Sequence, residues 1–283
     1  MKLLRFGEIG NERPGLLDTN GVIRDLGSIV DDIVGSTLCD DALAQLASLD
    51  VNSLPIVPGK PRIGACVGRI GKFVCVGLNY TDHATETGKS VPSEPVIFMK
   101  ATSAVCGPND PIEIPRGSSK SDWEVELGIV IGKRSKYVRQ ADALLHVAGY
   151  CTVNDGSERA FQSEMQGQWT KGKSHDTFGP IGPWLVTRDE VPDPQNLTLW
   201  CEVDGHRYQD GSTRTMVYGV AYLVSYISRF MTLEPGDIIA TGTPPGVGLG
   251  IRPRPIFLKA GQRVRLEVEG LGVQDHVTIE ARD

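Results

Sequence analysis

The chain has 283 residues, 40% of them hydrophobic, and a formal net charge of -6, enough apolar material for one large domain or a small one joined to a larger. Lys and Arg nowhere cluster between aromatics, which argues against a nucleic-acid partner. No run of about eighteen apolar residues exists to cross a membrane.

The opening MKLLRFGEIGNERPG breaks its apolar run after two leucines, unlike a secretory leader, so a cytoplasmic protein is expected. Cys39, Cys66, Cys75, Cys106, Cys151 and Cys201 lie far apart without CxxC spacing and read as reduced structural thiols, not zinc ligands. Asn196-Leu197-Thr198 spells a glycosylation acceptor, but without a secretory route it is a chance match.

In chain order, KLLRF predicts a strand, GLLDTNGVIRDL a hairpin turned at Asn20-Gly21, and DDALAQLASL a helix, together a small α+β unit. The Pro/Gly-punctuated run SLPIVPGKPRIGACVGRIG reads as a linker, giving a small N-terminal domain and linker over residues 1–70 and a main domain over residues 71–283. The main domain offers strands at KFVCVGL, PVIFMK, EVELGIVIG, AGYCTVN, PWLVT, LTLWCEVDG, DIIATG and QRVRLEVEG, with clear helices only around QADALLHVA and VYGVAYLVSYISRFM. Strand and helix do not alternate, so the fold class is mixed α/β and β-dominated, not a doubly wound sheet or a TIM barrel. Val203-Asp204-Gly205-His206 signals a tight hairpin.

Within DWEVELGIVI the period of two places Trp123, Val125, Leu127, Ile129 and Ile131 on one face and Glu124 and Glu126 on the other. Two like charges about 7 Å apart on a core-bound strand are either neutralised by a cation or form the solvent face of an edge strand. Asp155 in CTVND ends an apolar strand and is the best third acid. Three carboxylates without His or Cys favour Mg²⁺ or Mn²⁺, with Ca²⁺ an alternative, over zinc.

GLNYTDHATE places His83 and Glu86 three apart on one helical turn, a usable general base with an orienting carboxylate, or an ordinary surface pair. In TKGKSHDTFGPIGP the adjacent Ser174, His175 and Asp176 do not make a triad, while Lys171 and Lys173 stand in a Gly/Pro-punctuated loop where a lysine can hold an enolate or simply face solvent. DIIATGTPPGVGLGI lacks both the GK[ST] ending of a P-loop and the third glycine of a dinucleotide fingerprint.

The ordered set GLNYTDHATE, PVIFMK, DWEVELGIVIGK, GYCTVNDGSERAFQ, KGKSHDTFGPIGPW and LEPGDIIATGTPPGVG closely resembles the fumarylacetoacetate hydrolase family from about residue 72 onward. The N-terminal unit resembles that of bacterial members acting as ureidoglycolate lyases or 2,4-diketo-3-deoxy-L-fuconate hydrolases. The resemblance implies a distorted β-roll, usually dimeric, with Glu124, Glu126 and Asp155 holding one Mg²⁺ or Mn²⁺. It implies that His83, oriented by Glu86, activates water, that Lys173 stands beside the bound substrate, and that Tyr80, Arg159, Gln162 and Thr243 contact it.

The chain departs from the family pattern at Gly156, Glu158, Ala160 and His175, changes that bear on specificity. The implied reaction is hydrolysis of an acylpyruvate-type 2,4-diketo acid, such as 2,4-diketo-3-deoxy-L-fuconate or the rhamnonate-pathway acid, to pyruvate and a second acid such as lactate. Ureidoglycolate cleavage, oxaloacetate decarboxylation and 2-oxo acid isomerisation use the same chemistry. A metal-dependent dicarbonyl-acid-binding protein is the non-enzymatic alternative.

Overall fold

The computed structural model describes residues 1–86 and 91–281, without the side chains of residues 83–85. Its principal strands are β1 (Lys2–Phe6), β2 (Arg13–Leu17), β3 (Ile23–Asp25), β4 (Phe73–Gly77), β5 (Val96–Lys100), β6 (Ile112–Ile114) and β7 (Val125–Ile131). They continue with β8 (Val147–Asn154), β9 (Leu185–Thr187), β10 (Thr198–Val203), β11 (His206–Ser212), β12 (Ile238–Ala240), β13 (Arg263–Val268) and β14 (Val273–Glu280). The α-helices are α1 (Asp40–Ala47), α2 (Thr81–Glu86), α3 (Arg159–Ser163), α4 (Thr170–Lys173) and α5 (Val220–Phe230). The β-dominated mixed fold predicted from the patterning is thus the one observed.

Nine strands form one sheet in the order β3-β2-β1-β9-β8-β7-β12-β4-β5, and five form a second in the order β11-β10-β13-β14-β6. Alternation in β7 explains how they stack. Val125, Leu127, Ile129 and Ile131 point into a core shared with Leu199, Cys201, Val264 and Leu266 of the smaller sheet and with Leu223, Val224 and Ile227 of α5. Val130 points the other way, into a second core with Phe73, Cys75, Ala148, Cys151 and Ile238, completed by Leu3, Leu16, Leu26 and Leu46 of the N-terminal segment. The large sheet therefore has an apolar layer on each face, as its continuous Val/Ile-rich runs require.

The N-terminal strands extend this sheet, because Lys2 and Leu3 of β1 pair antiparallel with Val186 and Leu185 of β9. Both predicted hairpins form: Gly21 takes φ 77° between β2 and β3, and Asp204 and Gly205, at φ 50° and 79°, join β10 to β11, the left-handed pair that a two-residue turn needs. One expected helix changes type. Gln140–His146 is a 3₁₀ helix, a form suited to a short connector; only its Ala143 is buried, while Leu144 and Leu145 are exposed. Among the described residues no helix is long and apolar enough to cross a membrane.

Candidate metal centre

Strand direction gathers the site. Antiparallel pairing sets Glu126 of β7 opposite Val153 of β8 and Gly128 opposite Ala240 of β12, while β12 runs parallel to β4. The N-terminal end of β7 thus meets the C-terminal ends of β4, β8 and β12, whose following segments carry candidate site side chains. Asp155 is tied in at the end of β8 by its own N–H, which donates to Glu124 O at 2.9 Å. Glu124, Glu126 and Asp155 are 5%, 1% and 0% exposed, and each offers an oxygen within 4.8 Å of the others. The paired glutamates are therefore not the solvent face of an edge strand, since β7 lies inside the sheet.

Cations surround this cluster without fully neutralising it. Lys173 Nζ donates to Glu124 Oε2 at 2.8 Å and Asp155 Oδ2 at 2.6 Å. Lys100 Nζ donates to Asp155 Oδ1 and, at 3.0 Å, to Gly156 O. Arg159 reaches Glu124 Oε1 at 2.7 Å through Nη1 and Asp122 Oδ2 at 2.8 Å through Nε. Burial pulls the Lys173 ammonium down, but Asp155 and Glu124 outweigh it and hold its pKa above the ordinary lysine value. Glu126 makes no ion pair among the described residues, although the nearby Lys173 ammonium partly offsets its charge; Gly242 N–H donates to its Oε2 at 2.8 Å. Burial, then Asp155 and Glu124, push its carboxyl well above the usual range. The excess negative charge thus falls on Glu126, and three converging hard oxygen donors fit a divalent cation such as Mg²⁺, Mn²⁺ or Ca²⁺.

A cavity of about 150 Å³ opens beside the cluster, lined in part by Glu124, Glu126, Arg159, Gln162, Lys173 and Thr243. Lys173 sits in α4, a short helix and not the loop expected. Gly172 makes its close packing feasible, since a Cβ there would lie 2.4 Å from Glu158 O and 2.5 Å from Gln162 N. Gln162 Oε1 accepts from Arg159 Nη1 at 3.2 Å. Thr243 Oγ1 donates to Val125 O at 2.8 Å and accepts from Gln209 Nε2 at 2.7 Å, so its hydroxyl braces the loop to β7.

Tyr80 is fully buried, is not among the residues lining this cavity, and its hydroxyl has no hydrogen-bond partner among the described residues. The backbone of His83 belongs to α2, but its side chain lies outside the described residues. Glu86 reaches the loop after β12, where its carboxylate accepts from Gly246 N–H at 3.0 and 3.1 Å.

The departures from the family pattern fall into place as supports. Glu158 is fully buried; it accepts from Ser121 Oγ at 3.0 Å and Lys120 N at 3.2 Å, and caps α3 by accepting from Ala160 N–H at 3.2 Å. Gly156 packs under Phe178, where a Cβ would meet atoms at 3.1 Å. Ala160, half-buried, supplies that N–H in α3. His175 is half-buried and lies against the Phe178 ring, centroids 5.3 Å apart.

Two further residues of the cluster carry no local sequence signal. Lys100, in PVIFMK, looks like a lysine capping a strand in solvent, and nothing local reveals Asp155 as its partner. Asp122 opens DWEVELGIVI, where nothing in the pattern sets it apart; it accepts from Gly248 N at 2.7 Å, Leu249 N at 3.0 Å and Trp123 N at 2.8 Å besides Arg159.

A strand-dominated α/β fold with a buried three-carboxylate centre beside a small cavity defines the class of protein. The family model described as fumarylacetoacetate (FAA) hydrolase C-terminal matches residues 72–278. A protein of Burkholderia multivorans is 65% identical over 282 residues, covering all of both chains. The structure of fumarylacetoacetate hydrolase from psychrophilic Exiguobacterium antarcticum superposes with a TM-score of 0.88 at 35% identity, covering 100% of each chain. 5-Carboxymethyl-2-hydroxymuconate delta-isomerase from Mycobacterium smegmatis gives 0.76 at 32% identity, again over 100% of each chain. Maleylpyruvate hydrolase from Sphingobium sp. SYK-6, in complex with manganese(II) and pyruvate, gives 0.83 at 27%, also over 100% of each. The chain belongs to the fumarylacetoacetate hydrolase family.

Proposed function

We propose that this chain is a divalent-metal-dependent hydrolase that cleaves the carbon–carbon bond of an acylpyruvate-type 2,4-diketo acid, releasing pyruvate and a second acid. The observation that carries this reading is the buried Glu124–Glu126–Asp155 cluster, bridged by Lys173, at the edge of a small cavity. Glu124, Glu126 and Asp155 would hold a divalent cation, which would supply charge stabilisation to a 2-oxo carboxylate. His83, as a neutral imidazole, takes a proton from water, whose oxygen adds to the distal carbonyl. The bond between C3 and C4 then breaks, its electron pair passing to the pyruvate fragment as an enolate. The Lys173 ammonium holds that charge until C3 takes up a proton, so the net change is addition of one water. Arg159 and Gln162 orient the acid from α3.

The isomerase among the similar structures supports a second reading, proton transfer within a 2-oxo acid without cleavage. One experiment separates the two. Metal-stripped protein, with and without Mg²⁺ or Mn²⁺, is given a panel containing acetylpyruvate and 2,4-diketo-3-deoxy-L-fuconate, and enol absorbance and pyruvate are followed together. Metal-dependent pyruvate release supports hydrolysis. Absorbance change without pyruvate favours isomerisation, and no turnover of any member overturns both in favour of a binding protein. Light scattering on the same preparation tests the homodimer that belongs to this proposal.

A further inference from the structure

Glu124 and Glu126 flank a single residue, Val125, whose peptide groups have no strand beside them on one side. Toward β8, Glu124 O accepts from Asp155 N–H, so by antiparallel alternation the N–H and C=O of Val125 face the other way, along the line of β12. That strand stops short of them. Its ladder with β7 covers Ile238–Ala240, Thr241 N–H makes a last bond to Leu127 O at 3.1 Å, and Gly242, at φ 98°, turns the chain aside.

Two side chains take the place of the strand. Val125 N–H donates to Gln209 Oε1 at 3.0 Å, and Val125 O accepts from Thr243 Oγ1 at 2.8 Å. Gln209 Nε2 in turn donates to Thr243 Oγ1 at 2.7 Å and to Pro244 O at 2.8 Å, which closes the ring. Gln209 is fully buried on β11 of the smaller sheet, and that strand lies hard against the loop: a Cβ on Gly246 would stand 1.9 Å from Tyr208 O, and one on Gly211 2.6 Å from Pro244 Cβ. The two peptide groups held in this way are those that join Val125 to Glu124 and to Glu126, so they set the direction in which both carboxylates leave the chain. An apolar side chain at residue 209 would leave the buried Val125 N–H unpaired.

We infer that Gln209 is a positioning residue of the metal centre, fixing Glu124 and Glu126 relative to each other through the peptide groups of Val125. This rests on the divalent-metal reading above and deepens it. The test titrates Mn²⁺ into metal-stripped protein by calorimetry and follows urea unfolding of the same samples. Gln209→Met keeps the length of the side chain and removes its bonds to Val125, Thr243 and Pro244; Mn²⁺ affinity falls about tenfold, as for other groups that orient metal ligands. Thr243→Val, a smaller change, carries the same expectation should Gln209→Met not fold. Gln274→Met is the control: Gln274 is equally buried and its Nε2 donates to the carbonyls of Thr152, Pro180 and Gly182, so its loss lowers the urea midpoint and leaves Mn²⁺ affinity unchanged. Unchanged affinity in the folded Gln209 or Thr243 variant, or an equal loss in Gln274→Met, overturns the inference and leaves the metal reading intact. Failure of the parent to bind Mn²⁺ overturns the metal reading and this inference with it.

Discussion

Lys173 Nζ stands 2.6 Å from Asp155 Oδ2, with both side chains buried. This ammonium also reaches Glu124, so it holds two proposed metal ligands together in the protein alone. Replacing it leaves those carboxylates facing each other in a poorly solvated site.

Lys173→Met is therefore expected to destabilise the metal-free protein by about 3–5 kcal/mol, the cost of breaking a buried ion pair from one side. Mg²⁺ or Mn²⁺ should raise the melting temperature of the variant more than that of the parent, because cation and ammonium neutralise the same oxygens. Turnover falls while metal binding persists. Melting curves with and without metal check this, and equal metal-induced shifts in the two proteins would remove Lys173 from the charge balance of the site.

Glu126→Gln tests the excess charge. The substitution keeps the shape and an acceptor for Gly242 N–H while deleting the carboxylate that makes no ion pair among the described residues. The metal-free variant should be about 1–2 kcal/mol more stable than the parent, and its affinity for Mn²⁺ lower by more than about 100-fold. Urea unfolding paired with Mn²⁺ titration measures both. Unchanged Mn²⁺ affinity would remove Glu126 as a ligand.

How far the letters reach is visible in this cluster. Glu124 and Glu126 could be read because period-two alternation is a local property, and Asp155 because it ends an apolar strand. Lys100 could not: its partner is 55 residues away, and a lysine at a strand end reads by default as solvated. The contact of Trp169 with Gly77 and Phe98 joins three separate segments. Pairing of β1 with β9 spans more than 180 residues, so no local pattern announces that the N-terminal segment shares the main sheet. The Gln140–His146 stretch has the composition of an α-helix, and the tightness of its connection to β8 makes it 3₁₀.

His276 gives a pH signature from outside the acidic cluster. It is fully buried, with Nδ1 2.7 Å from Asp110 O and Nε2 3.0 Å from Gln274 Oε1. Burial pushes its pKa down from 6.5 to about 4, although Asp110 opposes the shift. Between those values the unfolded chain takes up a proton that the folded ring refuses, so stability rises with pH from about 4 to 6.5 and is level above. The full effect is about 3 kcal/mol. Urea midpoints from pH 4.5 to 7.5, read as the difference between the parent and His276→Gln, isolate this contribution from that of the carboxylates. A slope of the opposite sign would mean that the two acceptors on the ring govern, in place of burial.

Asp122 connects the metal centre to the loop after β12. Its Oδ1 accepts the N–H groups of Trp123 and Gly248, and its Oδ2 accepts Leu249 N–H and Arg159 Nε. All four partners are donors, so an asparagine must turn its own NH₂ toward one pair of them, whichever way the amide lies. Asp122→Asn is expected to cost about 3–5 kcal/mol, since it removes a buried charge from Arg159 and sets donors against donors. Because Arg159 also grips Glu124 at 2.7 Å, the freed guanidinium should weaken Mn²⁺ binding by about tenfold. A double-mutant cycle with Arg159→Met, read in Mn²⁺ affinity, separates the routes: strong non-additivity places the effect in the Asp122–Arg159–Glu124 chain, whereas additive losses place it in the 246–249 loop. Reduced stability with Mn²⁺ affinity intact would make Asp122 a loop clasp with no hold on the metal centre.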